Sequence, residues 1–350
     1  MAHGSAGLDV RGWQVADEAP VDLSVVIPCY NEEASLPELI RRVGDAVRAL
    51  APLTWELVLV NDGSKDRTWS IITDHAARTD GIIGVNLARN HGHQLALSAG
   101  LSICRGDTVV VMDADLQDPP ELIGALIAKM SEGHDVVYGQ RVARAGETRF
   151  KRASASLFYR LLQRLVDVPV PRDTGDFRIM SRRVVDHFNA MPERFRFVRG
   201  MVSWIGFSQA ALPYERDARF AGETHYPLHR MIAFAIDAVT SFSTLPLRFA
   251  VHLGLITGLA AVGMLGWVLF AWLAGETVVG WTSLTGIVLL LGSVQLMMLG
   301  IFGEYLGRMY MESKRRPLFI IDEVAARPAT ASAQSPVHDH VRRLRQAIHG

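Results

Sequence analysis

Thr108-Val-Val-Val-Met-Asp-Ala-Asp-Leu-Gln-Asp-Pro-Pro120 is the stretch that decides the fold of this chain. Its apolar residues form a short Val-rich run typical of a buried strand, and the run leads directly into two carboxylates, Asp113 and Asp115. Charge at the end of a buried strand is costly unless it is paired, and Mg²⁺ or Mn²⁺ is a suitable partner because these ions bind oxygen ligands. The stretch therefore predicts a metal site for a phosphorylated substrate. The alternative is an ordinary Asp-rich turn in which Asp118 caps the next helix.

Short β-type runs alternate with helical periods on both sides of this stretch. Strands are predicted at residues 23–27, 55–60, 82–87, 108–112 and 135–138, with helices between them at 36–50, 66–77, 93–103 and 120–130. This order predicts an α/β fold with a parallel, doubly wound sheet and right-handed crossovers. Because every strand of such a unit runs the same way, the polar residues that follow the strands are expected at one edge of the sheet.

Composition excludes several classes of function. The 350 residues contain 36 basic and 36 acidic side chains, so no overall positive field indicates a nucleic-acid partner. The two cysteines, Cys29 and Cys104, form no disulfide framework and have no metal-ligand spacing, which fits a reducing compartment. Neither Gly-x-Gly-x-x-Gly nor Gly-x-x-x-x-Gly-Lys is present, so neither a dinucleotide cofactor nor a P-loop is expected. The first 20 residues contain no apolar core of signal-peptide length, and we expect the N-terminal part to stay in the cytoplasm.

Two long apolar stretches lie near the C-terminus, at residues 249–273 and 278–302, and neither contains Lys, Arg, Asp or Glu. Each is long enough to cross a hydrocarbon core of about 30 Å. Basic residues flank the pair, Arg248 before it and Arg308 and Lys314 after it, so the positive-inside rule places both ends in the cytoplasm. The alternative is a buried helical hairpin in a soluble protein.

These patterns give a domain organisation. We expect an N-terminal tail at 1–20, a cytoplasmic catalytic domain at 21–225, an amphipathic interfacial helix at 226–245, a two-helix transmembrane hairpin at 246–308, and a cytoplasmic segment at 309–350 that becomes a mobile tail beyond Glu323. An ordinary core helix is the alternative for 226–245. Glycine spacings in the apolar stretches would allow a homo-oligomer.

Four motifs in this order resemble the family 2 glycosyltransferases, in particular their polyprenyl-phosphate branch: Val26-Ile-Pro-Cys-Tyr-Asn-Glu32, Val60-Asn-Asp-Gly-Ser64, Asp113-Ala-Asp-Leu-Gln117 and Gly175-Asp-Phe-Arg178. The resemblance covers roughly residues 21–322 and implies a GT-A fold. It also implies a membrane-bound enzyme that moves a hexose from a nucleotide sugar to polyprenyl phosphate with inversion, using Mg²⁺ or Mn²⁺. The expected donor is UDP-glucose, from which glucose would be transferred. GDP-mannose and a UDP-N-acetylhexosamine are the alternative donors. A polysaccharide synthase and a non-catalytic membrane scaffold are the remaining alternatives.

The resemblance also implies roles for residues on the donor side. The nucleotide sugar would be bound by Pro28, Tyr30, Asn31, Glu32, Asp62 and Asp113, and the metal by Asp113, Asp115 and Gln117. Asp62 would accept hydrogen bonds from the base, since only a matching donor satisfies a carboxylate once water is excluded. The alternative for Asp62 is a plain Asp-Gly turn.

On the acceptor side, a phosphomonoester is already an anionic nucleophile near neutral pH and needs cationic positioning more than a base. The resemblance implies lipid-phosphate binding by Arg141, Lys151, Arg152, Ser156, Arg219 and His225, and catalytic roles for Asp176, Arg178 and Asp115. We expect Asp176 to orient the acceptor with Arg178 or to stabilise positive charge on the sugar. The family usually has lysine at the position of His225, so activity is expected to fall above about pH 7 unless the phosphate raises the histidine pKa.

Overall fold

The structure is a computed structural model, and it describes residues 20–142, 174–215, 245–274 and 280–327. Its centre is an eight-stranded sheet of order β7-β5-β6-β4-β1-β2-β3-β8. The strands are β1 (Leu23–Cys29), β2 (Trp55–Asn61), β3 (Ile82–Leu87), β4 (Thr108–Val111), β5 (Val136–Arg141), β6 (Thr174–Ser181), β7 (Gln209–Tyr214) and β8 (Ile321–Ala326). The helices are α1 (Leu36–Arg48), α2 (Thr68–Arg78), α3 (His93–Ile103), α4 (Ile123–Met130), α5 (Arg182–Ala190), α6 (Val198–Ile205), α7 (Leu245–Leu273) and α8 (Trp281–Ser313).

The mostly parallel, doubly wound sheet is confirmed. Strands β1 to β4 pair in parallel, and β5 runs the same way because β4 and β5 both pair antiparallel with β6. The five predicted strands run in one direction as expected, and β6 and β8, which were not predicted, are antiparallel to their neighbours. Strand β6 enters the sheet at the edge where the other strands end. The Gly175–Arg178 motif therefore reaches this edge by beginning a strand.

Both faces of the sheet are buried, which explains the continuous apolar runs of its strands. Val25 and Ile27 of β1 belong to one hydrophobic cluster, which also contains Leu39 of α1. Val26 of the same strand belongs to the cluster on the other face, together with Leu97 of α3. Alternate side chains of β1 thus face α1 on one side of the sheet and α3 on the other. Neither helix covers the ends of the strands.

The chain returns to the sheet after its last helix. Strand β8 pairs antiparallel with the outer strand β3, and the Ala88 N–H donates to the carbonyl oxygen of Ile320 at 2.9 Å. A mobile tail directly beyond Glu323 is therefore wrong for residues 324–326, which continue this strand. An edge strand is held by backbone hydrogen bonds to its neighbour, so a polar, Ala-rich composition does not prevent it.

Helices α7 and α8 contain 29 and 33 residues. Both are long and apolar enough to cross a membrane, at Pro246–Trp267 and Leu290–Ser313, and no described residue in these windows is buried. The second helix continues to Ser313, beyond both the apolar stretch and the predicted end of the hairpin. The N-terminal tail, the predicted interfacial helix apart from Leu245, and the last 23 positions lie outside the described residues.

Candidate active site

The end of β1 forms the first side of the site. Pro28 is buried within the strand, whereas the Tyr30 side chain that follows is 45% exposed. Asn31 has a positive φ of 55° and is held by two bonds to the β2–α2 loop: its N–H donates to Ser64 Oγ at 3.0 Å, and its Oδ1 accepts from the Lys65 N–H at 2.9 Å. The predicted nucleotide residues at this strand end are thus held next to the loop that carries Asp62.

Glu32 is fixed by its neighbours in the same turn. Its N–H donates to Thr68 Oγ1 at 2.8 Å, and its carboxylate accepts from Ser35 Oγ at 2.5 Å. These contacts join the β1–α1 turn to the start of α2.

Asp62 is buried at the end of β2, and its two carboxylate oxygens accept the backbone N–H groups of His91 at 2.7 Å and Gly92 at 2.9 Å. Burial raises the pKa of Asp62, and these two hydrogen bonds oppose the shift. The following Gly63 has φ +65°, and a Cβ there would lie 2.5 Å from the backbone nitrogen of Asn90. Asp62 therefore anchors the loop that begins α3, and its role as a base reader stays a prediction.

Asp176 is the most heavily bonded carboxylate of the site. It is 3% exposed. Its Oδ2 is bound by His93 Nε2 at 2.9 Å and Gln94 Nε2 at 3.0 Å, and its Oδ1 by Arg199 Nε at 3.0 Å. Burial alone would raise the pKa of Asp176, but the hydrogen bond from His93 and the nearby arginines hold it well below its usual range. An acid with such a low pKa is a poor proton acceptor.

Arg178 lies beneath this carboxylate. Its side chain is 5% exposed, and its Nη2 lies 3.9 Å from Asp176 Oδ1. Its guanidinium donates to the carbonyl oxygens of Gly175 and Asp176 at 3.1 and 3.3 Å. Burial lowers the pKa of Arg178 to about 10, partly opposed by the charge of Asp176. These contacts hold the Arg178 guanidinium against the backbone of its own strand, close to the Asp176 carboxylate.

Asp113 follows β4 and faces Asp176. Its Oδ1 is buried without a hydrogen-bond partner among the described residues, and His93 Nε2 lies 3.5 Å away. Burial, reinforced by the charges of Asp176, Asp118 and Asp115 and opposed by His93, raises the pKa of Asp113 to about 6. A buried carboxylate oxygen without a donor is a costly arrangement that a cation would relieve.

Ligand atoms of His93, Asp113 and Asp176 all lie within 4.8 Å of one another. The two carboxylates fit a divalent metal such as Mg²⁺ or Mn²⁺, which take oxygen ligands, while His93 Nε2 is hydrogen-bonded to Asp176. The other predicted metal ligands, Asp115 and Gln117, form a tight turn in which Asp115 Oδ1 accepts the Gln117 N–H at 3.2 Å. Their metal role stays a prediction.

Arg141 ends β5 beside the start of β6. A Cβ on Gly175 would lie 2.5 Å from Arg141 Nη2, so the guanidinium rests directly against that glycine. Burial opposes the charge of Arg141, but its interaction with the Tyr214 side chain and the charges of Asp118 and Asp113 raise its pKa. The Arg141 guanidinium is therefore a fixed positive charge near Asp113.

Asp118 does not cap the next helix. It is fully buried and accepts a hydrogen bond from the Tyr214 hydroxyl, while neither α4 nor the short 3₁₀ turn before it has a side-chain cap. The Tyr214 ring packs edge-on against Phe177 at a centroid distance of 5.7 Å. Asp118 thus belongs to a buried network that ties the β4 loop to β7.

The remaining acceptor-side predictions, Lys151, Arg152, Ser156, Arg219 and His225, lie outside the described residues. Three residues that contact Asp176 were not predicted as site residues: His93, Gln94 and Arg199. His93 and Gln94 begin α3, which a five-residue loop separates from the end of β3, and their place in this strand–loop–helix connection was the available signal. Arg199 sits inside a helix 23 residues beyond Asp176, and no local pattern marks it.

Comparisons with known proteins show the family of this chain. The profile of the family "Glycosyl transferase family 2" matches residues 24–188. An uncharacterized glycosyltransferase of Bacillus subtilis, YkcC, is 44% identical over 306 residues, which cover 87% of this chain and 94% of that protein. The bactoprenol glucosyl transferase of Shigella phage SfV is 39% identical, covering 85% of this chain and 97% of the relative.

A solved structure of mannosyl-3-phosphoglycerate synthase from Rubrobacter xylanophilus is 20% identical, covers 63% of this chain and 72% of its own, and has a TM-score of 0.44. The sequence relatives match nearly their full length with this chain. This chain belongs to glycosyltransferase family 2 and is a glycosyltransferase.

Proposed function

We propose that this protein transfers a hexose from a nucleotide sugar to polyprenyl phosphate at the cytoplasmic face of a membrane. The observation that carries the proposal is the pair of facing carboxylates: Asp113, whose buried Oδ1 accepts no hydrogen bond from the described residues, and Asp176, held ionised by a histidine and arginines. Relatives named bactoprenol glucosyl transferase support a lipid acceptor. UDP-glucose is our first choice of donor, with GDP-mannose and UDP-N-acetylhexosamines as the alternatives.

The chemistry needs no proton acceptor. A phosphate oxygen of the acceptor attacks the anomeric carbon, and the bond from that carbon to the diphosphate breaks with its electron pair going to the diphosphate oxygen. One such displacement inverts the anomeric centre. Because a phosphomonoester carries about −1.5 to −2 charge near pH 7, Asp176 is free to act as a fixed anion. We infer that it orients Arg199 and offsets positive charge on the sugar ring.

The donor diphosphate would lie beside Asp113. A divalent cation bound by Asp113, with Asp115 and Gln117 as further ligands, would neutralise the charge that develops on the leaving diphosphate. Arg141 supplies a fixed positive charge at the same edge, suited to the acceptor phosphate. Lys151, Arg152, Ser156, Arg219 and His225 are proposed to complete the acceptor site.

The two apolar helices α7 and α8 supply the membrane side of this proposal. With basic residues at their outer flanks, they would place the catalytic domain and both termini in the cytoplasm. The polyprenyl phosphate head group would then be reached at the bilayer surface, and the glycines of the helices would permit a homo-oligomer.

The test is transfer from radiolabelled UDP-glucose, GDP-mannose and UDP-N-acetylglucosamine to polyprenyl phosphate in detergent, with and without EDTA. We expect labelled lipid to form fastest with one of the donors and to depend on Mg²⁺ or Mn²⁺, and we expect no product with Asp113→Asn. Labelled lipid from none of these donors, with the folded wild-type protein and added metal, would overturn the proposal.

A further inference from the structure

The end of helix α8 contacts the loop between α5 and α6, residues 191–197, which we call the α5–α6 loop. The backbone N–H of Arg194 donates to Glu312 Oε1 at 2.7 Å, and Arg194 Nη1 donates to the carbonyl oxygen of Arg316 at 2.5 Å. The guanidinium carbon of Arg308 lies 4.5 Å from the centre of the Phe195 ring. The last turns of helix α8 and the residues just after it therefore hold this loop through two polar contacts and a stacked pair.

The α5–α6 loop is internally stiff. Arg196 is 9% exposed, and its guanidinium donates to three carbonyl oxygens, of Phe188, Met191 and Glu193, at 3.1, 2.6 and 3.2 Å. It also stacks on the Phe188 ring at 4.7 Å. Moving the loop relative to α5 would leave a buried guanidinium unsatisfied, so these bonds tie the loop at Arg196 to the end of α5.

The other end of the loop reaches the active site. The Val198 N–H donates to Gln94 Oε1 at 2.9 Å, and Gln94 Nε2 binds Asp176. The next residue, Arg199, binds Asp176 through Nε and the carbonyl oxygen of Thr174 through Nη1 at 2.8 Å. Only three residues separate Arg194, which is held by the helix end, from Val198, which is held by the site.

We propose that Glu312 is a positioning residue for the catalytic centre: through the Arg194 N–H it fixes the α5–α6 loop and thereby sets Arg199 against Asp176. The inference rests on the proposed function, because it concerns the same carboxylate. It gives the apolar helix pair a second role, in which the end of the second helix sets the geometry at Asp176.

Two substitutions at Glu312 separate its hydrogen bond from its charge. Glu312→Gln keeps an oxygen that accepts the Arg194 N–H, and Glu312→Ala removes the acceptor. We expect kcat to fall about tenfold or more in Glu312→Ala, the size of effect of a lost charge-assisted hydrogen bond. The KM for the nucleotide sugar and the calorimetric affinity for the nucleoside diphosphate with Mg²⁺ should stay within about twofold, because Asp113 and the β1 and β2 loops are untouched. Glu312→Gln should keep most of the wild-type kcat.

Lys314→Ala is the matched control at the same helix end, since the Lys314 Nζ lies over the Tyr310 ring of its own helix at 4.2 Å, and it should behave as wild type. If Glu312→Ala does not fold, Glu312→Asp, with its carboxylate drawn back by one methylene, should show the same selective loss of kcat at an unchanged Tm. A wild-type kcat in Glu312→Ala or Glu312→Asp would overturn the inference, and so would equal losses in the alanine and glutamine variants. Absence of transfer by the wild-type protein would count against the proposed function instead.

Discussion

Arg199 Nε lies 3.0 Å from Asp176 Oδ1, and the same guanidinium binds the carbonyl oxygen of Thr174 at 2.8 Å. One side chain of α6 therefore holds both the carboxylate and the backbone at the start of β6. Together with His93 and Gln94, it surrounds Asp176 with hydrogen-bond donors. A carboxylate in this setting remains ionised at every pH at which an enzyme is normally assayed, and its chemical role follows from that.

The first prediction concerns Asp176→Asn. Because the pKa of Asp176 is held well below its usual range, its protonation cannot produce an acid limb between pH 5 and 8. We expect Asp176→Asn to lower kcat about hundredfold or more through lost charge stabilisation, while the shape of the pH–rate profile stays the same. The measurement is kcat/KM against pH for both proteins.

The control for this prediction is Asp135→Asn. Asp135 is also a buried carboxylate bound by an arginine, Arg183, but it precedes β5 at the opposite edge of the sheet. It should leave kcat nearly unchanged. If an acid limb of the wild-type profile disappears in Asp176→Asn, Asp176 acts as a base and our interpretation of its role fails.

The second prediction is that Asp113→Asn stabilises the metal-free protein. The pKa of Asp113 is raised to about 6, mainly by burial, whereas an unfolded chain has an aspartate pKa of about 3.9. The folded state thus binds this proton more tightly, so the metal-free protein loses stability as the pH rises from about 4 to about 6 and does not regain it above. Asparagine has no such loss, and its advantage in Tm should be larger at pH 7.5 than at pH 5.

Thermal unfolding in detergent with EDTA measures this difference. Added Mg²⁺ or Mn²⁺ should raise the Tm of the wild-type protein and not that of Asp113→Asn, because the cation needs the ionised carboxylate. A lower Tm for Asp113→Asn at both pH values would show that the carboxylate is satisfied without a metal.

The third prediction separates two roles of Asp62. Its oxygens accept the N–H groups of His91 and Gly92, and the single amide oxygen of Asp62→Asn would have to serve both. If Asp62 only anchors this loop, kcat should fall because His93 and Gln94 follow directly, and it should fall by the same factor for uridine and guanosine donors. The measurement is kcat and KM for a panel of nucleotide sugars, and a change of donor preference would instead support base reading by Asp62.

Local sequence patterns predicted much of the fold. The strand at 82–87 and the helix at 93–103 agree with the structure to the residue. Their apolar residues pack into the two buried clusters, so the spacing of these residues in the sequence reveals each element. Strands β6 and β7 were not predicted. The start of β6 carries a polar motif, Thr174–Arg178. It is buried with its charges satisfied, because distant side chains bind the Asp176 carboxylate and backbone carbonyl oxygens accept from Arg178. Strand β8 forms by pairing with the outer strand β3, and that partner is available only in the folded sheet.

The site was predictable where it follows strand ends and not elsewhere. Asp113 and Asp176 were recognised from motifs, and the structure brings both to one point with His93. Arg199 and Gln94 reach Asp176 from 23 and 82 residues away, and such separations leave no periodic signal. Sequence also could not show that the oxygens of Asp62 bind backbone N–H groups, since those groups belong to a loop 29 and 30 residues later.

The fourth prediction tests Arg141 as a ligand of the acceptor phosphate through its neighbour Gly175. A Cβ at Gly175 would lie 2.5 Å from Arg141 Nη2, and this atom is the end of a flexible side chain, so Gly175→Ala should fold and displace the guanidinium. We expect the KM for polyprenyl phosphate to rise severalfold in Gly175→Ala and in Arg141→Ala, with little change in the KM for the donor. Because both changes act on one cation, the double variant should be no worse than Arg141→Ala alone.

Gly124→Ala in α4, where a Cβ meets only Leu50 Cδ2 at an ordinary 3.4 Å, should leave both KM values unchanged. Additive effects of the two substitutions would mean that Gly175 acts on the acceptor independently of Arg141.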